Sequence, residues 1–137
     1  MNVIKAVEMI KQKFAEVGNP AQIPNRKGER FEATMVGDGV EVGNLGDSPF
    51  LPWAVFQEAV CILIQNGGRA KRGDVMGPRL GDPELPLNSV EGHIAQVVYG
   101  HPVGRAIFRR IVPIDGILVW AGICTTAPNE LILCDID

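Results

Sequence analysis

Three side chains that could bind a partner through hydrogen bonds, those of Glu91, His93 and Gln96, fall within residues 88–100. Histidine and glutamine hydrogen-bond to base edges and to phosphates in protein–DNA complexes. The small residues between them would let a helix lie close to a partner surface. The segment therefore predicts either a helix face that meets nucleic acid or an amphipathic surface helix whose polar side meets only water.

Basic side chains flank this segment on both sides, although the formal net charge of the chain is −3. They are Arg69, Lys71, Arg72, Arg105, Arg109 and Arg110. Phosphate neutralisation dominates the affinity of proteins for nucleic acids. We therefore predict a nucleic-acid-binding surface made of these basic residues together with Glu91, His93 and Gln96.

Charge alternates along the chain in four blocks. Residues 1–30 sum to +3, 31–65 to −5, 66–110 to +3 and 111–137 to −4. The negative total argues against strong nonspecific DNA binding, whereas the positive block keeps a weaker form of it open. Alternatively, the blocks pair with one another inside one molecule or across a dimer.

Residues 88–100 have the caps and the periodicity of an amphipathic helix. Asn88 is a good N-cap, and Glu91 follows at the capping-box spacing. Gly100 and Pro102 would end the helix. The apolar residues that recur at helical spacing and predict a buried stripe are Val90, Ile94, Val97 and Val98.

Residues 89–95 (SVEGHIA) resemble the start of a recognition helix in helix-turn-helix proteins. The pattern is similar to that of quorum-sensing-type transcription activators and of helicase-associated helix-turn-helix domains. This resemblance implies a helix that enters a DNA groove. The chain departs from the standard motif at residues 77–87, because this connector is far longer than a turn of about three to four residues. Winged-helix variants tolerate longer turns.

Catalytic and metal-binding constellations are not evident in the sequence. His93 and His101 lack the spacing of metal ligands, as do Cys124 and Cys134, and the glycine-rich segments lack the lysine of a phosphate-binding loop. We predict no catalytic residue, no metal and no cofactor, and we favour a non-enzymatic role. Cys61 and Cys124 lie in apolar runs typical of buried thiols, which fits a reducing, cytoplasmic setting.

The order of elements predicts a single α+β domain in which helices pack with short antiparallel strands, in a winged-helix-like arrangement. Residues 1–18 form an N-terminal helix, 31–42 a hairpin and 53–134 the winged-helix-like core, whose central helix spans 53–66. We predict strands at 106–112, 117–124 and 131–134, with a wing tip at 125–129. A short buried helix from Pro113 is the open alternative for 117–124.

The N-terminal helix carries an apolar stripe that could dock on its own domain or join two copies of the chain. The stripe consists of Val3, Val7, Ile10, Phe14 and Val17. We expect a homodimer, which would suit a palindromic DNA target. No segment reaches the roughly 20 apolar residues of a membrane span. The alternative function is a non-catalytic protein-interaction or small-ligand-binding domain.

Overall fold

Four helices and two antiparallel sheets make up residues 1–135, the part of the chain that a computed structural model describes. The helices are α1 (Val3–Val17), α2 (Trp53–Gln65), α3 (Val90–Val97) and α4 (Ile111–Trp120). The strands are β1 (Ala21–Pro24), β2 (Arg30–Val36), β3 (Gly39–Val42), β4 (Phe50–Pro52), β5 (Arg69–Lys71), β6 (Cys124–Ala127) and β7 (Glu130–Leu133). The predicted α+β class is confirmed.

Helix α1 begins at Asn2, whose side chain accepts a hydrogen bond from the backbone N–H of Lys5 at 2.8 Å. Its apolar stripe packs against α2 and α4 of the same chain. Ile10 and Phe14 are almost completely buried there, whereas Val17, at the end of the stripe, is 55% exposed. The stripe thus belongs to the core of its own domain.

Strands β1 to β4 form a meander in which each strand pairs with the next in antiparallel register. The predicted hairpin corresponds to β2 and β3, which are joined at Gly37-Asp38. Alternate residues of β1, Ala21 and Ile23, are buried, and β1 lies against α4. At Gly39 a Cβ would stand 2.1 Å from the carbonyl oxygen of Leu51, so only glycine allows the close approach of β3 and β4.

Helix α2 is the centre of the core, as the sequence predicts. It contacts α1, α3, α4 and both sheets. Phe56, Val60 and Leu63 are fully buried. Burial of such side chains contributes roughly 1.5–3 kcal/mol each, so α2 is the main source of apolar stabilisation among the described helices.

The second sheet has the order β5-β7-β6 and lies after α2 in the chain. Strands β6 and β7 form a hairpin whose turn contains Asn129 in the left-handed region, at φ 62°. The predicted wing tip at 125–129 is therefore shorter than expected, because pairing continues to Ala127 and resumes at Glu130.

The predicted strands at 106–112 and 117–124 are wrong, because α4 spans Ile111–Trp120 and residues 105–110 have no regular structure. The open alternative, a short buried helix in this region, is the one that the structure adopts. Helix α4 is buried over most of its length, and its sequence is apolar except for Asp115. It therefore lacks the periodicity that separates a helix from a strand.

Candidate functional site

The nine residues predicted to bind nucleic acid do not form one exposed surface. Arg72 is only 3% exposed and Glu91 only 2%. His93 and Arg110 are half-buried. The exposed members of the predicted set are Arg69, Lys71, Gln96, Arg105 and Arg109. Arg72 and Glu91 are therefore out of reach of a macromolecule at the surface, and α3 does not present the predicted polar face.

Glu91 caps α4 instead of its own helix. Its Oε2 accepts hydrogen bonds from the backbone N–H groups of Arg110 at 2.9 Å and of Ile111 at 2.5 Å. These are donors that the first turn of a helix cannot satisfy internally. The N-cap of α3 is Ser89, whose Oγ accepts from the N–H of Gly92 at 3.0 Å, so the predicted Asn88 capping box is wrong.

Burial raises the pKa of the Glu91 carboxyl to about 7. The two backbone donors and the positive charge of Arg110 act in the opposite direction. The desolvation of a carboxylate in an apolar interior exceeds what these contacts recover. Glu91 is therefore a structural group whose charge changes near neutral pH.

The exposed arginines are largely engaged with neighbours. Arg69 Nε lies 2.6 Å from Glu130, and Arg109 Nη1 lies 2.5 Å from Asp74. The guanidinium of Arg110 lies 3.8 Å from the ring centre of Tyr99 and 4.8 Å from that of Phe108. Arg109 and Arg110, adjacent in sequence, thus have separate partners.

A polar cleft of about 210 Å³ lies between the β1–β2 turn, the segment after β5 and the start of α4. Its floor contains the ion pair between Arg72 and Asp115, in which Arg72 Nε donates to Oδ2 at 2.5 Å. Asp74 joins the floor to the rim, because it accepts from both Arg72 and Arg109. This network fixes the side chains of three separate segments.

One oxygen of the Asp115 carboxylate has no hydrogen-bond partner among the described residues. The side chain is completely buried, and Oδ1 is the atom left without a donor. Burial raises the pKa of Asp115 to about 6, while the charges of Arg72 and Arg26 lower it. A buried acceptor without a partner costs about 1–3 kcal/mol. Because Oδ1 itself has almost no accessible surface, a donor from outside the chain reaches it only when the cleft lining moves.

A larger groove of about 610 Å³ lies between residues 44–48, 75–78 and 106–109, and Arg109 lines it as well as the cleft. Exposed apolar side chains, among them Met76 and Phe108, lie along it. It contains no buried polar atom that lacks a partner. We therefore consider the smaller cleft the better candidate for specific recognition, since polar groups in fixed positions determine orientation.

The sequence interpretation missed the cleft residues Arg26, Lys27, Asp74 and Asp115. One signal was present: Asp115 is a single carboxylate within an otherwise apolar run. Such a group needs a buried cationic partner, but the sequence interpretation placed Asp115 between two predicted strands and so did not expect it to be buried. The partner, Arg72, is 43 positions away in sequence.

Comparisons with protein-family models, curated proteins and solved structures find no match to this chain. The proposed function therefore rests on the positions and contacts of the side chains in this structure. No helix within residues 1–135 is long and apolar enough to cross a membrane.

Proposed function

We propose that the protein is a non-catalytic binding module whose cleft takes a small ligand with both an anionic group and an N–H donor. The single observation that carries this proposal is the unpartnered Oδ1 of Asp115, fully buried beside the cleft. That oxygen requires a hydrogen-bond donor. The cations at the rim favour an anionic group, and one ligand with both groups meets both preferences.

Cations outnumber acids around the cleft by one. The cations are Arg26, Lys27, Arg72 and Arg109, and the acids are Glu29, Asp74 and Asp115. Arg72 is used internally by Asp115 and Asp74, which leaves Arg26 and Lys27, on the exposed β1–β2 turn, to meet an anion. Arginine favours carboxylate and phosphate groups because its planar donors match their geometry.

The volume of the cleft limits the size of the ligand. About 210 Å³ is below the range of roughly 300–1,000 Å³ that is typical of pockets for drug-sized molecules. The cleft therefore holds a molecule of amino-acid size, or one end of a larger molecule such as a nucleotide. A regulatory role follows if the ligand orders the β1–β2 turn against α4.

A thermal-shift screen of amino acids and nucleoside monophosphates would identify the ligand class, since a ligand of the folded state raises the melting temperature. Calorimetry would then compare the best compound with an analogue that lacks its N–H donor. We expect at least about tenfold weaker binding of the analogue, and of the parent compound to Arg26→Ala. Arg105→Ala, an exposed arginine outside the cleft lining, is the matched control.

Two results would contradict the proposal. One is the absence of a thermal shift with any compound of these classes. The other is equal affinity of the identified compound for the wild type and for Arg26→Ala, because the cleft would then not be the site.

A nucleic-acid-binding module of winged-helix type is the second candidate. Its support is the element order after residue 52, helix–strand–helix–helix–strand–strand, with β6 and β7 as a hairpin. Arg69 and Lys71 project from β5, which pairs with this hairpin. Helices α3 and α4 are largely buried, so binding would have to use these basic side chains and the hairpin rather than a helix inserted into a groove.

Salt dependence tests the nucleic-acid candidate. We expect binding to duplex or single-stranded DNA at low salt, with a logarithmic salt slope of about −0.9 for each phosphate neutralised. The double variant Arg69→Ala/Lys71→Ala should reduce the slope. No binding to either form of DNA at low salt would eliminate this candidate.

A homodimer and a cytoplasmic location remain predictions. The free thiols Cys61, Cys124 and Cys134 suit a reducing compartment. One of the two observations that favoured a homodimer no longer supports it, because the apolar stripe of α1 packs on its own domain. The alternating charge blocks still favour a homodimer. Light scattering at micromolar concentration measures the molecular mass of the protein directly.

A further inference from the structure

Glu58, Cys61 and His93 converge on one point between α2 and α3. Glu58 and Cys61 are three residues apart on α2, so their side chains are neighbours on one face of the helix. His93 reaches them from α3, which packs directly against α2. None of the three lines the polar cleft.

The donor atoms of these side chains are already close enough to share an ion. His93 Nε2 lies 2.9 Å from Glu58 Oε1, and one donor atom from each residue lies within 4.8 Å of the others. Zinc bonds of about 2.0–2.3 Å place tetrahedral ligands about 3.5 Å apart. An ion between them requires only side-chain movements of about an ångström, without any change in the packing of the helices.

We infer that Glu58, Cys61 and His93 form a transition-metal site with Zn²⁺ as the best-matched ion. Thiolate and imidazole donors favour Zn²⁺ over the hard cations Mg²⁺ and Ca²⁺, which take oxygen ligands. A set of one carboxylate, one thiolate and one imidazole leaves the fourth tetrahedral position open. Solvent or an external ligand occupies that position.

Burial and neighbouring groups favour ion binding at this place. The side chains of His93 and Glu58 are 12% and 30% exposed, so the donors are held by packing while an entry path remains. Gln65 Nε2 donates to Cys61 Sγ at 3.4 Å, an outer contact of the kind that orients a metal ligand. The ion would connect α2 to α3, two helices that otherwise meet through apolar contacts and the Glu58–His93 pair.

The sequence did not predict the cluster of Glu58, Cys61 and His93. The spacing between His93 and His101, and that between Cys124 and Cys134, does not match a metal-binding motif. Cys61 was predicted to be a buried thiol. Only the packing of α3 on α2 brings position 93 to positions 58 and 61.

Titration of the reduced protein with Co²⁺ tests the inference, because Co²⁺ reports its ligands by absorbance. We expect one equivalent to give a thiolate-to-cobalt band in the near ultraviolet and tetrahedral bands in the visible. Zn²⁺ should displace it, because Co²⁺ loses ligand-field stabilisation in a tetrahedral site and Zn²⁺ does not. Cys61→Ser should abolish the thiolate band. His93→Gln should weaken Co²⁺ binding at least about tenfold.

Each variant has a matched control in the same chain. Cys134→Ser removes an exposed thiol and His101→Gln removes the other histidine, and both should bind Co²⁺ like the wild type. If Cys61→Ser does not fold, as judged by circular dichroism, Glu58→Gln replaces it and should also weaken binding. A wild type without the thiolate band, or a band that persists in Cys61→Ser, would overturn the inference.

Discussion

Glu91 shows how the role of one side chain depends on what surrounds it. Exposed on a helix, it would be an ordinary acidic residue with a pKa near 4.5. Buried against the start of α4, it serves as the cap of another helix, and its pKa rises to about 7.

The raised pKa of Glu91 makes stability depend on pH. Between about pH 4.5 and 7 the folded state holds a proton that the unfolded state has lost. The contribution of this group to stability is therefore fully present below pH 4.5 and is lost as the pH rises through 7. We expect the free energy of unfolding to fall by about 2 kcal/mol between pH 5 and 8 from this group.

Urea unfolding at a series of pH values measures this dependence, and Glu91→Gln is the matched variant because it cannot titrate. The variant should show a smaller decline, with a remainder below about pH 6 from Asp115, whose pKa is also raised. The same decline above pH 6 in both proteins would show that Glu91 is not its source.

The buried ion pair of Arg72 and Asp115 gives a second prediction. Arg72→Ala leaves the carboxylate of Asp115 buried without its counter-ion. Loss of one partner of a buried pair typically costs about 3–5 kcal/mol, and urea unfolding measures it. The control is Arg69→Ala, an arginine three positions earlier, on β5, whose pair with Glu130 is exposed. We expect little change there, and comparable losses in the two variants would contradict the burial argument.

Helix α3 packs closely against the preceding loop because residue 92 is a glycine. A Cβ at Gly92 would lie 2.1 Å from the carbonyl oxygen of Pro86, so the helix sits directly against the loop that precedes it. The small residues of α3 therefore allow contact with the chain itself rather than with an external partner.

Gly92→Ala should lower stability by about 2–3 kcal/mol, because the backbone has to move to relieve the clash. Helix propensity alone would give the opposite sign, a gain of about 1 kcal/mol. Thermal unfolding distinguishes the two. Gly37→Ala, where a Cβ meets no atom within 4 Å, is the control and should be nearly neutral. A Gly92→Ala protein that melts higher than the wild type would refute the close approach.

The burial of helix α4 explains why its secondary structure was predicted incorrectly. It is covered by α1, α2 and β1, and its residues from Ile114 to Leu118 are all buried. Apart from Asp115 these positions are apolar or glycine, so neither the helical nor the strand period appears.

At the scale of the whole molecule, one core joins α1, α2, α3 and α4 with both sheets. Ile94 is fully buried within it, as its place in the apolar stripe predicts. The N-terminal helix is part of the same core. Its apolar stripe could dock on its own domain or join two copies of the chain, and the structure shows it packed on its own domain.

Ile94→Asp should abolish cooperative folding, because an unpaired carboxylate would enter this core. Val97→Asp introduces the same side chain one turn later on α3, at a position that is 52% exposed. We expect it to cost about 1 kcal/mol or less. Circular dichroism melts of the two variants test the prediction. A soluble Ile94→Asp protein with a sharp transition would mean that this face of α3 is not part of the core.

The sequence alone determined the elements that are marked by local apolar patterns, caps and turn residues. Helix α1, the β2–β3 hairpin, α2 and the burial of Val90 and Ile94 on α3 were predicted from periodicity, caps and turn residues, because those signals arise within a few neighbouring positions. Val97, in the same predicted stripe, is 52% exposed. The α+β class followed from their order.

Only the tertiary structure decided what the polar residues do. It turned Glu91 into a cap for α4, paired Arg72 with Asp115 and brought His93 beside Glu58 and Cys61. Each of these contacts joins residues about 20 to 43 positions apart. A charge or hydrogen bond acts over a few ångströms in space and leaves no periodic trace along the chain. Arg72, Glu91 and His93 were thus predicted to lie on an exposed binding face, whereas in the fold Arg72 and Glu91 are buried and His93 is largely covered.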